Sequence, residues 1–501
     1  MLTSHQQLKL GALLSYLAIA INMASALIFS PWMLSKIGSG DYGLYALSSS
    51  LINMFLLDFG ISSAVSRFVS KYVAEGNQHK VNELLAVVYK LFFGLVSIVA
   101  FILVGIYFFV DDIYQSLTPE ELERFKVVYI ITATYSVLSF PLSATLNGVL
   151  NSYEKFVQMK LCDVGNKLLS IALIVAALLL DYGLYAMVAI HAVVNMLMFA
   201  AKLVFLKLHT PVKVSWFYWN RDLLKEIFAF SVWVLINSIC ARLMMNITPN
   251  ILAATVGTLA ITIFSFSAAI EGCSYTLASA LDGMFLPRIA RITYGEADMS
   301  KILPLMIKVG RFQYFVLGLI FVGFAGVGEE FVQLWLGQDY SQVYPCTLLL
   351  LLSAPFYLSQ MIAKNTMVVL GLVKYLTYVN LIKAFLNIFL AVVLSLYWGV
   401  IGACASICIA YNVRNLANMY LYHRHLRLDV IRFCKACYIR MSVPMFLTLL
   451  AAIGINQLYT AGSWPLLTLK IGILTVCYIL LMWIIAFNKE EKTRYKNIIN
   501  I

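Results

Sequence analysis

Charged side chains occur inside several long apolar segments of this 501-residue chain. If such a segment spans a membrane, an ionisable group in its interior is costly, so it tends to face a wet cavity or a partner. Guanidinium groups bind oxyanions through two parallel hydrogen bonds, and ammonium groups bind them as point charges. The segments could therefore hold an anionic ligand through basic residues in their interior, among them Arg242, Lys364, Lys383 and Arg414.

Polar residues share helical faces with these charges. Residues three or four apart lie on one face of a helix, which groups Arg242 with Ser238, Asn246 and Asn250. We predict that ligand binding involves Arg242, Asn246, Lys383, Arg414, Lys364 and Asn22, and that Asp58 and Glu271 serve in coupling or in an ion pair.

A structural role is the alternative for several of these residues. Lys364 and Arg414 lie nearer the ends of their segments and could extend to the headgroups, as we also expect for Lys470. Glu271 could be a partner of Arg242, and Asp58 could be a buried packing acid. The remaining Asn, Ser and Thr residues could simply join neighbouring helices.

The composition identifies the elements that must position these residues. Apolar residues make up 62% of the chain and charged residues 12%, with a mean hydropathy of +0.86. In soluble proteins, about 45–50% of the residues are apolar and about 25% are charged. This excludes a soluble enzyme, a DNA-binding protein and a disordered chain. Solid apolar runs also exclude a membrane β-barrel, whose strands would alternate.

We predict an all-α, polytopic integral membrane protein, because a span needs about 20 apolar residues. Fourteen spans are expected at 9–31, 43–66, 87–110, 127–148, 162–181, 184–206, 227–249, 257–282, 303–327, 344–369, 374–397, 399–422, 441–458 and 464–487. Asp181-Tyr182-Gly183 and Trp398-Gly399 are the short breaks within two closely spaced pairs.

The distribution of basic residues predicts the orientation. With the N-terminus in the cytosol, the inside segments carry 28 Lys and Arg residues and the outside segments carry 3. Cytoplasmic loops are enriched in Lys and Arg, so both termini are expected to be cytosolic. The same rule explains the net charge of +12 without any nucleic-acid partner.

A weak internal repeat indicates the domain organisation. Gly38 to Tyr45 aligns with Gly257 to Phe264, and in both places a glycine turn ends one span and opens the next. We predict an N-terminal lobe of six helices at 1–207, a second six-helix lobe at 208–422, and a basic linker with two further spans at 423–501. Parallel repeats of this kind are typical of transporters.

No set of residues indicates catalysis. The chain has no phosphate-binding loop, and its only close cysteine pair, Cys434 and Cys437, lacks the second pair or nearby histidines of a zinc site. We therefore expect neither an enzyme nor a bound metal or cofactor.

Three groups of short motifs carry a resemblance to a known family. They are Leu34-Ser-Lys-Ile-Gly38 with Asp41-Tyr-Gly-Leu-Tyr45, Asp58-Phe-Gly60 with Ser66-Arg67-Phe68, and Leu146-Asn-Gly-Val-Leu150 with Tyr153-Glu-Lys155. With them the whole chain resembles the polysaccharide (O-antigen, Wzx-type) flippases of the multidrug/oligosaccharidyl-lipid/polysaccharide exporter superfamily.

The resemblance implies a V-shaped pair of lobes with a cavity walled by spans 1, 2, 7 and 8. It implies alternating access that carries an undecaprenyl-diphosphate-linked oligosaccharide across the bacterial inner membrane for O-antigen, capsule or exopolysaccharide assembly. H+ or Na+ would be the coupling ion. Expected partners are the lipid-linked substrate, the bilayer, and a polysaccharide polymerase with other assembly proteins.

Three other functions are open. A lipid II (peptidoglycan-precursor) flippase carries the same diphosphate chemistry, so a cationic cavity does not distinguish it. A multidrug and toxin extrusion pump would need cavity carboxylates, and here the deep charges are mostly basic. A polymerase or ligase acting on lipid-linked sugars would need a large periplasmic loop, and the longest predicted outside loop is only 111–126.

Overall fold

The computed structural model describes residues 4–56, 61–153, 155–279, 285–295, 298–489 and 491–493. Over these ranges every regular element is helical. The α-helices are α1 (Ser4–Ala24), α2 (Ser30–Phe55), α3 (Ile61–Ala74), α4 (Gln78–Ile113), α5 (Pro119–Ser152), α6 (Phe156–Leu179), α7 (Leu184–His209), α8 (Arg221–Thr255), α9 (Thr258–Ser279), α10 (Leu286–Ala290), α11 (Ile302–Leu336), α12 (Val343–Leu352), α13 (Ala354–Leu358), α14 (Met361–Val369), α15 (Val373–Leu426), α16 (Val430–Cys434), α17 (Arg440–Leu458) and α18 (Trp464–Leu481).

Ten helices within the described ranges are long and apolar enough to cross a membrane. The all-α, multi-pass membrane class is therefore confirmed. Helices α5 and α8 coincide with the predicted spans at 127–148 and 227–249 but are not among those ten. The total of fourteen spans and the cytosolic position of the termini stay predictions.

Glycines with positive φ lie at three of the predicted breaks. Gly38 has φ +81° and Gly257 has φ +123°, which confirms a glycine turn at both places in the repeat. Gly399, with φ +57°, divides α15 where two spans were expected. A side chain is disfavoured at such angles, so glycine lets the chain turn there without a longer loop.

The predicted span at 344–369 is not one continuous helix. It forms α12, α13 and α14, with interruptions at Ser353 and at Ser359–Gln360. Pro355 lacks the N–H that would continue the helix across the first interruption. At the second, the Gln360 amide donates to the Phe356 carbonyl at 3.0 Å, so a side chain replaces regular backbone pairing.

The chain forms two compact units, Met1–Thr262 and Ile263–Ile501, and the division falls within α9. In the first unit, apolar residues of α3, α4 and α5 form a core around Phe68, Leu84 and Leu146. In the second, α11, α14, α15 and α17 pack around Tyr314, Ile362 and Met441. The lobe boundaries derived from the repeat stay predictions.

Candidate functional site

Stacked tyrosines from separate helices lie inside the second unit. The rings of Tyr357 on α13 and Tyr411 on α15 are nearly parallel, at 16°, with centroids 5.0 Å apart. The ring of Tyr275 on α9 lies 6.4 Å from that of Tyr357 and is 47% exposed. We call these three residues the tyrosine stack. It extends from the interior of the unit to its accessible surface.

Two of the predicted ligand-binding cations lie on this stack. The Lys383 Nζ is 4.8 Å from the centre of the Tyr411 ring. The Arg414 guanidinium carbon is 5.5 Å from the centre of the Tyr357 ring and 5.8 Å from that of Tyr411. A cation over an aromatic face is attracted to it, more strongly away from water. The stack thus accommodates positive charge in a place where Lys383 is only 5% exposed.

The break at Gly399 brings these cations together. Lys383 lies before Gly399 on α15 and Arg414 lies after it. Both then approach the Tyr411 ring, although they belong to different predicted spans. The structure therefore places two residues that were predicted separately in one cluster.

Arg414 keeps one donor without a partner. Its Nε is buried and has no hydrogen-bond partner among the described residues. Buried polar atoms are normally satisfied, and a guanidinium offers five donors in a fixed plane. An oxyanion would be a suitable acceptor for this group.

Glu271 joins the cluster from α9. It is 8% exposed, and the Tyr357 hydroxyl donates to its Oε1 at 3.4 Å. Tyr357 therefore contacts Glu271 through its hydroxyl and Arg414 through its ring. The predicted pairing of Glu271 with Arg242 stays a prediction.

Buried amides continue along the same helix as Arg414. Asn415 and Asn418 are 4% and 5% exposed. Both amide atoms of Asn415 and the Oδ1 of Asn418 lack partners in the described ranges. Nearby, Asn412 Nδ2 donates to Ser353 Oγ at 3.0 Å. The interior of the second unit is thus polar over about two turns of α15.

In the first unit, Arg242 is exposed on α8. Asn246, one turn later, is half-buried, and its carbonyl accepts from Ser50 Oγ at 2.7 Å. Asn250 is buried and accepts from the Tyr114 hydroxyl at 2.7 Å. The predicted polar face therefore serves partly to hold α8 against α2 and the end of α4, whereas Arg242 is accessible.

The other predicted residues are distributed more widely. Asn22 is exposed on α1, and Lys364 is half-buried on α14. Asp58 lies outside the described residues. The binding and coupling roles of all eight predicted residues stay predictions.

The expectation that Lys470 extends to the headgroups is wrong. Lys470 is 2% exposed, and its Nζ lies 2.7 Å from Glu330 Oε1. It also donates to the Tyr459 carbonyl at 3.3 Å. The base lies within the predicted span 464–487, and the acid lies just beyond the predicted span 303–327. The two are far apart in the chain, so no local spacing indicates the pair.

The stacking of tyrosines from different helices was not predicted either. Tyr411 and Arg414 have the three-residue spacing of one helical face, which is the only local signal for it. Within the described residues, no cluster of three or more His, Cys, Asp or Glu side chains is placed to hold a metal ion.

Comparisons with known proteins agree with this architecture. Residues 37–345 match the model of a family described as polysaccharide biosynthesis protein. The chain is 23% identical to an uncharacterized membrane protein, EpsK, of Bacillus subtilis (strain 168), over 95% of this chain and 94% of that protein.

Two solved structures with the same fold are a flippase and a multidrug resistance transporter. A lipid II flippase, MurJ, in an inward closed conformation superposes with a TM-score of 0.73 at 14% identity, covering 94% of this chain and 97% of that one. An inward-facing multidrug resistance transporter of the MATE family, in the same superfamily as the predicted resemblance, gives a TM-score of 0.66 at 15% identity, covering 83% and 96%. The predicted resemblance is confirmed.

Proposed function

Because the chain belongs to the polysaccharide biosynthesis protein family, we propose that it is a flippase for undecaprenyl-diphosphate-linked oligosaccharides. It would move these repeat units across the bacterial inner membrane for O-antigen, capsule or exopolysaccharide assembly. The family and the transporter fold support translocation without covalent chemistry. A polysaccharide polymerase would be the partner that receives the translocated units.

The observation that carries this proposal is the pair of cations on the tyrosine stack. Lys383 and Arg414 share the Tyr411 ring at 4.8 and 5.8 Å. A diphosphate carries several anionic oxygens, which a guanidinium and an ammonium group bind in complementary ways. We assign the diphosphate to these two cations, with the partnerless Nε of Arg414 as one donor.

The sugar would lie against the accessible end of the stack. Tyr275 offers an exposed ring and a hydroxyl there, next to Tyr357. The buried amides of Asn415 and Asn418 are further donors and acceptors for hydroxyl groups. Glu271, bonded to Tyr357, is the residue through which H+ or Na+ coupling would act on this site.

The charge of the cluster argues against a multidrug and toxin extrusion pump. An organic cation needs carboxylates, whereas this cluster contains one carboxylate, that of Glu271, and two basic side chains, those of Lys383 and Arg414. A lipid II flippase shares the diphosphate requirement, so cargo measurements must compare the two lipids.

The proposal is tested by transport in proteoliposomes with a fluorescent undecaprenyl-diphosphate sugar, lipid II and an organic cation as separate cargoes. We expect transport of the first. Arg414→Ala should lower it by about tenfold or more, because a charge-assisted hydrogen bond is lost.

Arg424→Ala is the matched control. Arg424 lies on the same helix, is exposed, and donates to Tyr420 at 2.9 Å, away from the stack. Its removal should leave transport unchanged. Transport of the organic cation alone, or equal effects of the two arginine variants, would refute the proposed function.

A further inference from the structure

The linker between α7 and α8 carries aromatic residues at the tip of a tight turn. The Tyr218 N–H donates to the Ser215 carbonyl at 2.9 Å, so the central residues of this turn are Trp216 and Phe217. Trp216 is about half exposed and Phe217 is fully exposed. Turn centres favour Gly, Asn, Asp, Ser and Pro for conformational reasons. Large aromatic residues are not favoured there. Trp216 packs on Tyr89, with ring centroids 5.7 Å apart, whereas the Phe217 ring is fully exposed.

The linker is fixed to the first unit and holds this tip in place. The Lys213 N–H donates to Asn82 Oδ1 at 2.9 Å, and the Ser215 N–H donates to the Asn82 carbonyl at 3.3 Å. Val212 and Val214 pack against the core formed by α3, α4 and α5. Lys213, which lies between these two valines in the chain, is exposed. The segment therefore presents its aromatic tip from a fixed base.

One lysine lies beside the exposed rings, and further basic residues occur along the linker. Lys90 Nζ donates to the Tyr218 carbonyl at 3.1 Å and lies 6.0 Å from the ring of Trp219, which is also about half exposed. Residues 207–225 contain one acid, Asp222, and their Lys and Arg residues are Lys207, Lys213, Arg221 and Lys225. Aromatic rings beside Lys and Arg match the interface of an anionic bilayer, where rings sit at headgroup level and cations meet lipid phosphates.

We propose that residues 210–220 form an interfacial anchor, with Trp216, Phe217 and Trp219 inserted among the anionic headgroups of the cytosolic leaflet. The anchor fixes the depth of the first unit at this leaflet. This proposal is based on the geometry and charge of the linker and not on the cargo. Its test is therefore independent of the test of the flippase proposal.

Photocrosslinking of the full-length protein in liposomes of phosphatidylglycerol and phosphatidylethanolamine tests the anchor. Benzoylphenylalanine replaces Phe217 in one variant and Glu75 in the control. Glu75 is exposed in the turn after α3, on the same predicted side of the membrane. We expect lipid adducts at position 217 to exceed those at 75 by about fivefold or more, because only the aromatic tip enters the interface.

Three results would overturn the proposal. The first is an equal lipid yield at both positions, and the second is adducts at 217 to protein alone. The third is a yield at 217 that does not fall when phosphatidylcholine replaces phosphatidylglycerol, which would exclude the anionic headgroups. Position 219 serves as the second probe if the 217 variant does not fold.

Discussion

The ammonium group of Lys470 lies 2.7 Å from the carboxylate of Glu330, and this ion pair joins α18 to α11 within the second unit. The lysine side chain is 2% exposed and the glutamate side chain 14%. Glu330 Oε1 also accepts from the Ala461 N–H at 3.2 Å, which fixes the loop before α18. A buried pair of this kind holds the last helices in one position.

We expect Lys470→Met to destabilise the protein strongly. Removing one partner leaves an uncompensated buried charge, which costs about 3–5 kcal/mol. The double variant Lys470→Met with Glu330→Gln should recover part of that loss. Thermal unfolding in detergent, followed by size exclusion, measures both. Lys36→Met, at an exposed lysine, is the control. Equal stability of Lys470→Met and Lys36→Met would contradict the interpretation.

Gly43 packs against the backbone at the start of α9. A Cβ at this position would lie 2.5 Å from the Thr258 carbonyl oxygen. Overpacking of this kind typically costs about 1–3 kcal/mol, so Gly43→Ala should lower the unfolding temperature. Gly40→Ala is a close control, because the nearest atom to its Cβ would be at 3.8 Å. If both variants unfold at the same temperature, the close approach at Gly43 does not contribute to stability.

Arg242 is predicted to act in transport and not in folding, because its side chain is exposed. Arg242→Ala should lower transport at near-normal protein abundance, because its accessible guanidinium is a further group that can bind anionic oxygens of the cargo, separate from Lys383 and Arg414. Arg242→Lys should retain a part, since the charge remains while bidentate geometry is lost. Transport assays with quantified membrane protein measure both effects, and Arg221→Ala, at the exposed start of the same helix, is the control. Loss of abundance in parallel with transport would instead indicate a structural role.

The predicted orientation can be tested with reporters. A reporter fused after Ile501 and a reporter within 207–225 should both give a cytosolic signal. A reporter inserted at 112–122 should give a periplasmic signal. The reason is the excess of Lys and Arg in the segments assigned to the cytosol. A periplasmic signal from 207–225 would reverse the topology and also remove the basis of the interfacial anchor.

Local features of the fold were predictable, and distant pairings were not. Glycine turns at Gly38, Gly257 and Gly399 follow from the unusual backbone angles that glycine permits. The helices follow from apolar length. Arg311, by contrast, counts in the sequence as a cytosolic charge, yet it is 2% exposed and its Nε donates to Glu491 at 2.6 Å.

The candidate site shows the same limit. The basic residues Lys383 and Arg414 were found from their position within apolar segments. Their common contact with Tyr411 depends on how α15 folds back, and the contact of Arg414 with Tyr357 depends on where α13 lies. Those are properties of three-dimensional packing, and a single sequence contains no period or spacing that specifies them.

The break at Gly399 also determines how the chain is built. As one straight rod, the 54 residues of α15 would measure about 80 Å, more than twice the apolar thickness of a bilayer. The Leu394 carbonyl lies where a side chain of Gly402 would be, so the two arms begin to pack within a few residues of the turn. Such a helical hairpin can enter the lipid as a single insertion unit during synthesis. It leaves no extended loop at its tip for a protease to cut.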